Sequence, residues 1–302
     1  MSNNTKLAST LKSADTEEWL DIHFTRPLGL LWARFFNRFN VHPNVVTIIS
    51  IFLGAAAGVM FYFDDLRLNV VGILLLVWAN LYDSADGQLA RMTGKKTRLG
   101  RVLDGFAGDV WFFFIYFFIG VRLTPSMGVW IWVLLVVASL VCHSKQCGLA
   151  DYYRNIHLFF LKGEAGSELD SSQRLAEEFR SLSWRTDFLW KLFLFFYRNY
   201  TRSQEQMTPQ FQAFRRRLEE TYGRTLPAEL RADFRQGSLP LMKWANILTF
   251  NTRAIVLYVS ILVSFPWIYP VFEITVMSVI FFYMRHRHEQ LSRRIASKYL
   301  GV

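Results

Sequence analysis

Two cysteines, Cys142 and Cys147, are all the sulfhydryl chemistry that 302 residues contain. Two cysteines at this spacing form neither a zinc site nor a disulfide framework, so both read as reduced structural residues. Proline is scarce, with 8 residues, and this leaves room for long uninterrupted helices. The first 15 residues, MSNNTKLASTLKSAD, have no apolar core, which predicts no cleavable signal peptide. Acidic residues are outnumbered, 24 against 34 Lys and Arg, for a net charge of +10, while 52% of the chain is hydrophobic and 17% aromatic. A soluble nucleic-acid binder would not carry so much apolar surface. The combination predicts a membrane protein with a basic face and no nucleic-acid partner. Such a face attracts anionic lipid headgroups.

The apolar runs set the architecture. Spans of membrane-crossing length are expected at Val45 to Phe63, Val70 to about Tyr82, Leu103 through VWFFFIYFFIGV, Met127 to Cys142, about Trp244 to Pro266, and about Ile268 to Met284. Span four continues as a polar helix through Arg154, and span five carries Asn246, Asn251, Thr252 and Arg253. Residues 16–40 alternate apolar and aromatic residues with Arg26, Arg34 and Arg38. They predict an interfacial amphipathic helix, broken at Pro27, or a helix packed on the rest of the protein. Residues 157–243 are polar and charged, and predict a helical cytosolic insertion. Within them, Phe188 to Tyr197 is apolar but too short to cross, so it reads as an interfacial or core helix. The run Arg215 to Arg217 reads as a solvated or lipid-facing surface, and His286 and His288 with their arginines as a headgroup-facing cluster. The fold class is therefore an all-α integral membrane protein of six transmembrane helices. The regions are 1–43 (tail and interfacial helix), 44–156 (spans one to four), 157–243 (insertion) and 244–302 (spans five and six with a basic tail). Nearly all Lys and Arg fall before span one, between two and three, between four and five, and after six; the other three loops hold Arg67, Arg122 and none. That bias predicts both termini and the loop between spans two and three on the cytosolic side.

That loop and its flanks hold the chemistry. Asp83, Asp86, Asp104 and Asp109 stand at the ends of two expected spans, with Arg91, Lys95, Lys96, Arg98 and Arg101 between them. Acids at membrane helix ends are costly without partners, which makes them functional candidates. Asp83 and Asp86 are i and i+3 on a helix, with Gly87 and Ala90 continuing the same face. Two carboxylates followed by small residues read as a metal site beside a ligand slot. The plain alternative is a charged loop at a membrane surface.

The pattern DxxDGxxAR, eight residues, then GxxxD resembles the signature of the CDP-alcohol phosphotransferase (CDP-alcohol phosphatidyltransferase) family. It is formed here by Asp83, Asp86, Gly87, Ala90, Arg91, Gly100 and Asp104. Pro43, Asn44 and Thr47 resemble the start of that family's first span. The resemblance covers spans one to three. It implies metal-dependent transfer of a phosphatidyl or substituted phosphate group from a CDP-linked lipid or alcohol donor to a small alcohol or lipid acceptor, with release of CMP. Mg²⁺ or Mn²⁺ ligands would be Asp83, Asp86, Asp104 and a fourth acid. Asp83, Gly87, Ala90, Arg91, Thr97, Gly100, Asn44 and Thr47 would lie at the nucleotide and its phosphates, with Arg98 a further contact, and a homodimer is implied. From the residues alone, Asn44 and Thr47 are explained by capping and backbone bonds, and Arg91 by a salt bridge. The family's fourth acid falls on Gly108, and the next residue is Asp109. Either the acid is lost, or Gly108 is an insertion and Asp109 both ligates metal and takes the acceptor proton. Insertion predicts an irregular, π-type turn, because Asp109 otherwise points about 140° from Asp104. A catalytically inactive scaffold and a six-span transporter are the non-enzymatic alternatives.

Overall fold

The computed structural model describes residues 13–301 except 96, 164, 165 and 224, and for Arg98, Arg101 and Val102 the backbone alone. Lys96 and those two arginines, expected among the cations of the site, thus lie outside the described part. The protein is 84% helical, and no strand occurs among the described residues. Among the described residues, six helices are long and apolar enough to cross a membrane: Pro43–Met60, Leu66–Thr93, Leu103–Met127, Trp130–Lys162, Ala228–Leu262 and Ile268–Leu300. The chain is thus an all-α, multi-pass membrane protein. Phe188–Met207 is not one of the six.

The chain divides into two compact units, 1–141 with 251–274, and 142–250 with 275–302. In the first, a π-turn at Asp21–Thr25 leads into α1 (Arg26–Arg38). Pro27 therefore does not break the helix. It sits in the first turn of α1, where a missing N–H is harmless, and the wider turn before it absorbs the ring. α2 (Pro43–Met60) is capped by His42, whose Nδ1 accepts from the Asn44 N–H at 3.2 Å. α3 (Leu66–Thr93) begins at Asp65, whose carboxylate accepts from the N–H groups of Arg67 and Leu68, and stops at Gly94 in the left-handed region. α4 (Arg98–Met127) is capped by Thr97, whose Oγ accepts from the Gly100 N–H at 2.9 Å. The helix α5 (Trp130–Val136) follows.

Close approach fixes how these helices meet. A Cβ at Gly58 would lie 2.7 Å from the backbone of Phe114, so α2 and α4 touch main chain to main chain, as small residues allow between membrane helices. α1 is held against α2 and α3 by a core of Ala33, Phe36, Val46, Ala85 and Leu89, with Trp32, Val41 and Tyr82 packed on it.

A π-turn at Val137–His143 leads into α6 (Ser144–Lys162) of the second unit, followed by α7 (Ser172–Ser181), α8 (Phe188–Met207), α9 (Pro209–Tyr222) and α10 (Ala228–Ile247). Stacked rings build its core: Phe160 on Phe234 at 3.8 Å and Tyr153 on His288 at 3.8 Å. Arg231 donates to the last carbonyls of α6, Phe160 O and Leu161 O, at 2.9 and 2.8 Å. α8 buries Lys191, Leu194, Thr201, Gln204 and Met207 and leaves Phe188, Leu189, Phe195 and Phe196 exposed. His288 is buried, where a headgroup-facing residue was expected. Its own helix, α13 (Ser278–Leu300), buries one stripe, and His288 falls on that stripe while His286 does not.

The first unit also contains α11 (Phe250–Leu262), α12 (Ile268–Phe272) and the start of a π-turn at Glu273–Met277. Arg253 on α11 and Glu273 form a wholly buried ion pair. Tyr269 donates to Glu273 Oε1 at 2.7 Å, and Tyr116 of α4 donates to its other oxygen.

Candidate active site

Asp83 and Asp86 leave the same face of α3, and Asp104 comes from the second turn of α4. One oxygen from each lies within 4.8 Å of the others. The three are graded in exposure: Asp86 is buried, Asp83 half-buried and Asp104 exposed. Like charges at that distance repel, most strongly at the buried Asp86. All-oxygen donors from two rigid helices are the set a hard divalent cation takes. The residues present therefore fit a metal of the Mg²⁺ or Mn²⁺ type.

Asp86 is fixed from α2. Thr47, itself buried, donates its hydroxyl to Asp86 Oδ2, 39 residues away in sequence, and lies 3.3 Å from the Pro43 carbonyl. Thr47 thus does more than bond its own backbone. Asn44 does not cap α2, since His42 has that place. Its Oδ1 lies 2.9 Å from where a Cβ on Gly100 would stand, so glycine at 100 lets α2 close on the first turn of α4. Thr97, exposed, shares that corner. Thr47 thus meets the acids from α2, while Asn44, Thr97 and Gly100 meet where α2 closes on the start of α4.

Arg91 folds back over its own helix. Its guanidinium lies 3.4 Å from a Cβ built on Gly87, which is half-buried, as is Ala90. The Nε and Nη2 of Arg91 are buried and have no hydrogen-bond partner. The expected salt bridge would have used these donors.

Asp109 is not in the acidic group. α4 is regular α-helix from Arg98 to Met127, so the irregular turn that would bring Asp109 round does not occur. Five residues of regular helix rotate Asp109 about 140° from Asp104, and it stands exposed. Gly108, one turn after Asp104, has nothing within 4 Å of where a side chain would start.

α1 meets α3 beside the motif, through Ser84 and Gln88, on a side turned away from Asp83 and Asp86. Arg26 is bound to Glu17 through Nε and Nη2 at 3.1 Å each, and Gln88 Nε2 donates to the Arg26 carbonyl at 3.0 Å. From the sequence, Arg26 is one of three arginines of an amphipathic helix, interfacial or packed on the rest of the protein. Its signal was position: it opens a helix whose apolar face packs on the motif.

Residues 40–153 match the CDP-alcohol phosphatidyltransferase family. This part of the chain is a CDP-alcohol phosphatidyltransferase domain, the domain of a transferase family, and it contains every one of the motif residues. A curated protein of Aquifex aeolicus (strain VF5), described as an uncharacterized protein, is 39% identical over 70 residues, which are 23% of this chain and 34% of that protein. The match thus spans about a third of that relative's length.

Proposed function

We propose that the protein transfers a phosphatidyl or substituted phosphate group from a CDP-linked lipid or alcohol to an alcohol acceptor and releases CMP. The observation that carries this reading is the convergence of Asp83, Asp86 and Asp104 within the family-matched segment. Asp83, Asp86 and Asp104 would hold one or two Mg²⁺ or Mn²⁺ ions, which when bound neutralise the diphosphate charge and acidify a hydroxyl.

The chain's own residues do the rest. Thr47 holds one oxygen of Asp86 and so sets which oxygen faces the ligand. Asn44, Thr97 and Gly100 line the corner for the nucleotide, and Gly87 and Ala90 keep that face of α3 low. Arg91 brings two unfilled donors to the diphosphate, the geometry in which guanidinium recognises phosphate. The acceptor oxygen attacks the phosphorus that bears the lipid or alcohol. The bond to the CMP oxygen breaks, and CMP leaves with the electron pair. The hydroxyl proton passes to a carboxylate of the cluster; Asp104, the exposed member, stands where a soluble alcohol arrives. The bias of Lys and Arg among the loops supports a cytosolic side for this site and both termini, and a homodimer through the membrane helices completes the proposal.

A second reading, a non-catalytic member acting as a scaffold, is favoured by one observation: Gly108 stands where the family has its fourth acid. The test is CMP release by purified protein, with CDP-diacylglycerol or a CDP-linked headgroup as donor, against a panel of alcohols. Metal-dependent CMP release that Asp86→Asn abolishes is expected. A folded protein that releases no CMP with any pair would overturn the enzymatic reading in favour of the scaffold.

A further inference from the structure

The second unit contains a groove of about 610 Å³ between α10 and α13. None of its lining residues belongs to the carboxylate site or to the family-matched residues 40–153. The sequence explains its shape. On α13, Arg287, Gln290, Leu291, Arg294 and Lys298 recur every three or four residues, so they share one face. Gly237 of α10 has no side chain to hold that face away: a Cβ there would run into Leu291 Cδ1 and stand 3.0 Å from Arg294 Nη2. The two helices close on each other at this glycine. Leu241, Leu291 and Ile295, all buried, give the groove an apolar floor. Its polar lining is Asp233 and Gln236 from α10 and the amide and cations of α13.

Three cations line the groove against one carboxylate. That carboxylate is already engaged: Asp233 accepts from Lys298 and, at 2.8 Å, from the Tyr299 hydroxyl. Arg287 and Arg294 are exposed, and neither is bonded to another described residue. A row of cations on a convex helix face is simply solvated. Here the row lines a concavity with apolar walls, which focuses its field where an anion would sit. The volume is that of a small-ligand site with a few placed polar groups.

The groove also starts at the edge of the membrane-crossing stretches. Arg287 follows Met284, the end of the apolar run of span six, by three residues, and Pro240 precedes Trp244, the start of that of span five, by four. Arg294 stands two turns beyond Arg287, about 10 Å further along α13. Guanidinium takes phosphate through paired charge-assisted bonds, and basic pockets between membrane helices hold anionic headgroups.

We propose that the groove between α10 and α13 is a binding site for a phosphate-bearing ligand. Arg287 and Arg294 take the phosphate oxygens, Gln290 between them serves the polar body, and the floor at Leu291 and Ile295 takes the apolar part. A phospholipid headgroup reaches the groove from the bilayer, and a soluble phosphate ester reaches it from water. The site uses no residue of the carboxylate cluster and stands or falls apart from the reading of that cluster.

The test uses purified full-length protein in neutral detergent. Native mass spectrometry reads retention of dioleoyl phosphatidic acid against dioleoyl phosphatidylcholine, and calorimetry reads glycerol 3-phosphate, the same phosphomonoester without acyl chains. The double variant Arg287→Gln with Arg294→Gln should lower affinity for the phosphate ligand about tenfold or more. Arg287→Gln alone should lower it several-fold, and it decides the question if the double variant does not fold. Arg216→Gln with Arg217→Gln removes the same charge from another exposed surface and should leave binding within about twofold. Loss of phosphatidic acid alone assigns the site to a lipid headgroup, and loss of glycerol 3-phosphate assigns it to a soluble ester; both support the site. Unchanged binding in the groove variants, an equal loss in the Arg216 and Arg217 control, or wild-type protein that prefers neither phosphate ligand overturns it.

Discussion

The first unit holds two groups of charged side chains on its membrane helices, and their construction differs in every respect. Asp83, Asp86 and Asp104 are of one sign, come from two helices, and run from buried to exposed. Arg253 and Glu273 are of opposite sign and wholly buried, and two tyrosines complete the acceptor sites of the carboxylate. The second group is complete in itself: it ties α4, α11 and the turn after α12 together and has no charge left to offer. The first group gathers carboxylates of one sign in the arrangement that a hard divalent cation takes. Burial or charge alone does not separate a ligand site from a structural pair; the arrangement of the signs does.

Removing a charge should therefore do opposite things at the two places. Asp86→Asn is expected to lower CMP release at least a hundredfold, while the melting temperature stays level or rises because repulsion is relieved. Chelation with EDTA should have the same effect on turnover, and thermal scans on one preparation would check both. At the other place Glu273→Gln strands a buried guanidinium, a change of about 3–5 kcal/mol. Turnover per folded molecule should hardly move. The double change Arg253→Met with Glu273→Met should recover most of the lost stability, as detergent unfolding curves would register. If instead Glu273→Gln abolished turnover without loss of stability, the two groups would not be functionally separate.

A finer test lies at the edge of the cluster. Asp109→Asn is expected to keep turnover within about threefold, because a regular α4 carries Asp109 away from the acids. Gly108→Asp should be tolerated, since nothing stands near that Cβ position, and should raise metal affinity or turnover several-fold. A large loss on Asp109→Asn, measured by CMP release, would restore the insertion reading. Thr47→Val, which removes one hydrogen bond to Asp86, should cost more than Asp109→Asn and far less than Asp86→Asn. A loss of about 1–2 kcal/mol in transition-state stabilisation is expected, seen as a drop of roughly tenfold in kcat/KM.

The six spans were legible because length and hydropathy are properties of a run of residues, and so was the Asp83–Asp86 pair, which needs only helical spacing. The Thr47–Asp86 bond was not, because it joins residues on different helices and spacing has no bearing on it. The π-turns at Asp21–Thr25 and Glu273–Met277 were also out of reach. Such turns come from packing and local strain rather than from a residue pattern, and one of them turned the expected break at Pro27 into a continuous helix. Asp109 shows the converse: sequence posed the question of an inserted residue, and only the regularity of α4 answers it. Glu273 left a signal that was not used. A lone acid in an apolar span, one hairpin away from a lone arginine, is a candidate pair.

That pair also bears on how the chain reaches its membrane. Arg253 lies inside an apolar helix, and an isolated arginine at such a depth opposes partition into lipid. Its partner Glu273 follows only after the turn at residues 263–267, in the next span. The two final spans thus favour entering the bilayer together as a helical hairpin, its opposed charges already joined, rather than one after the other.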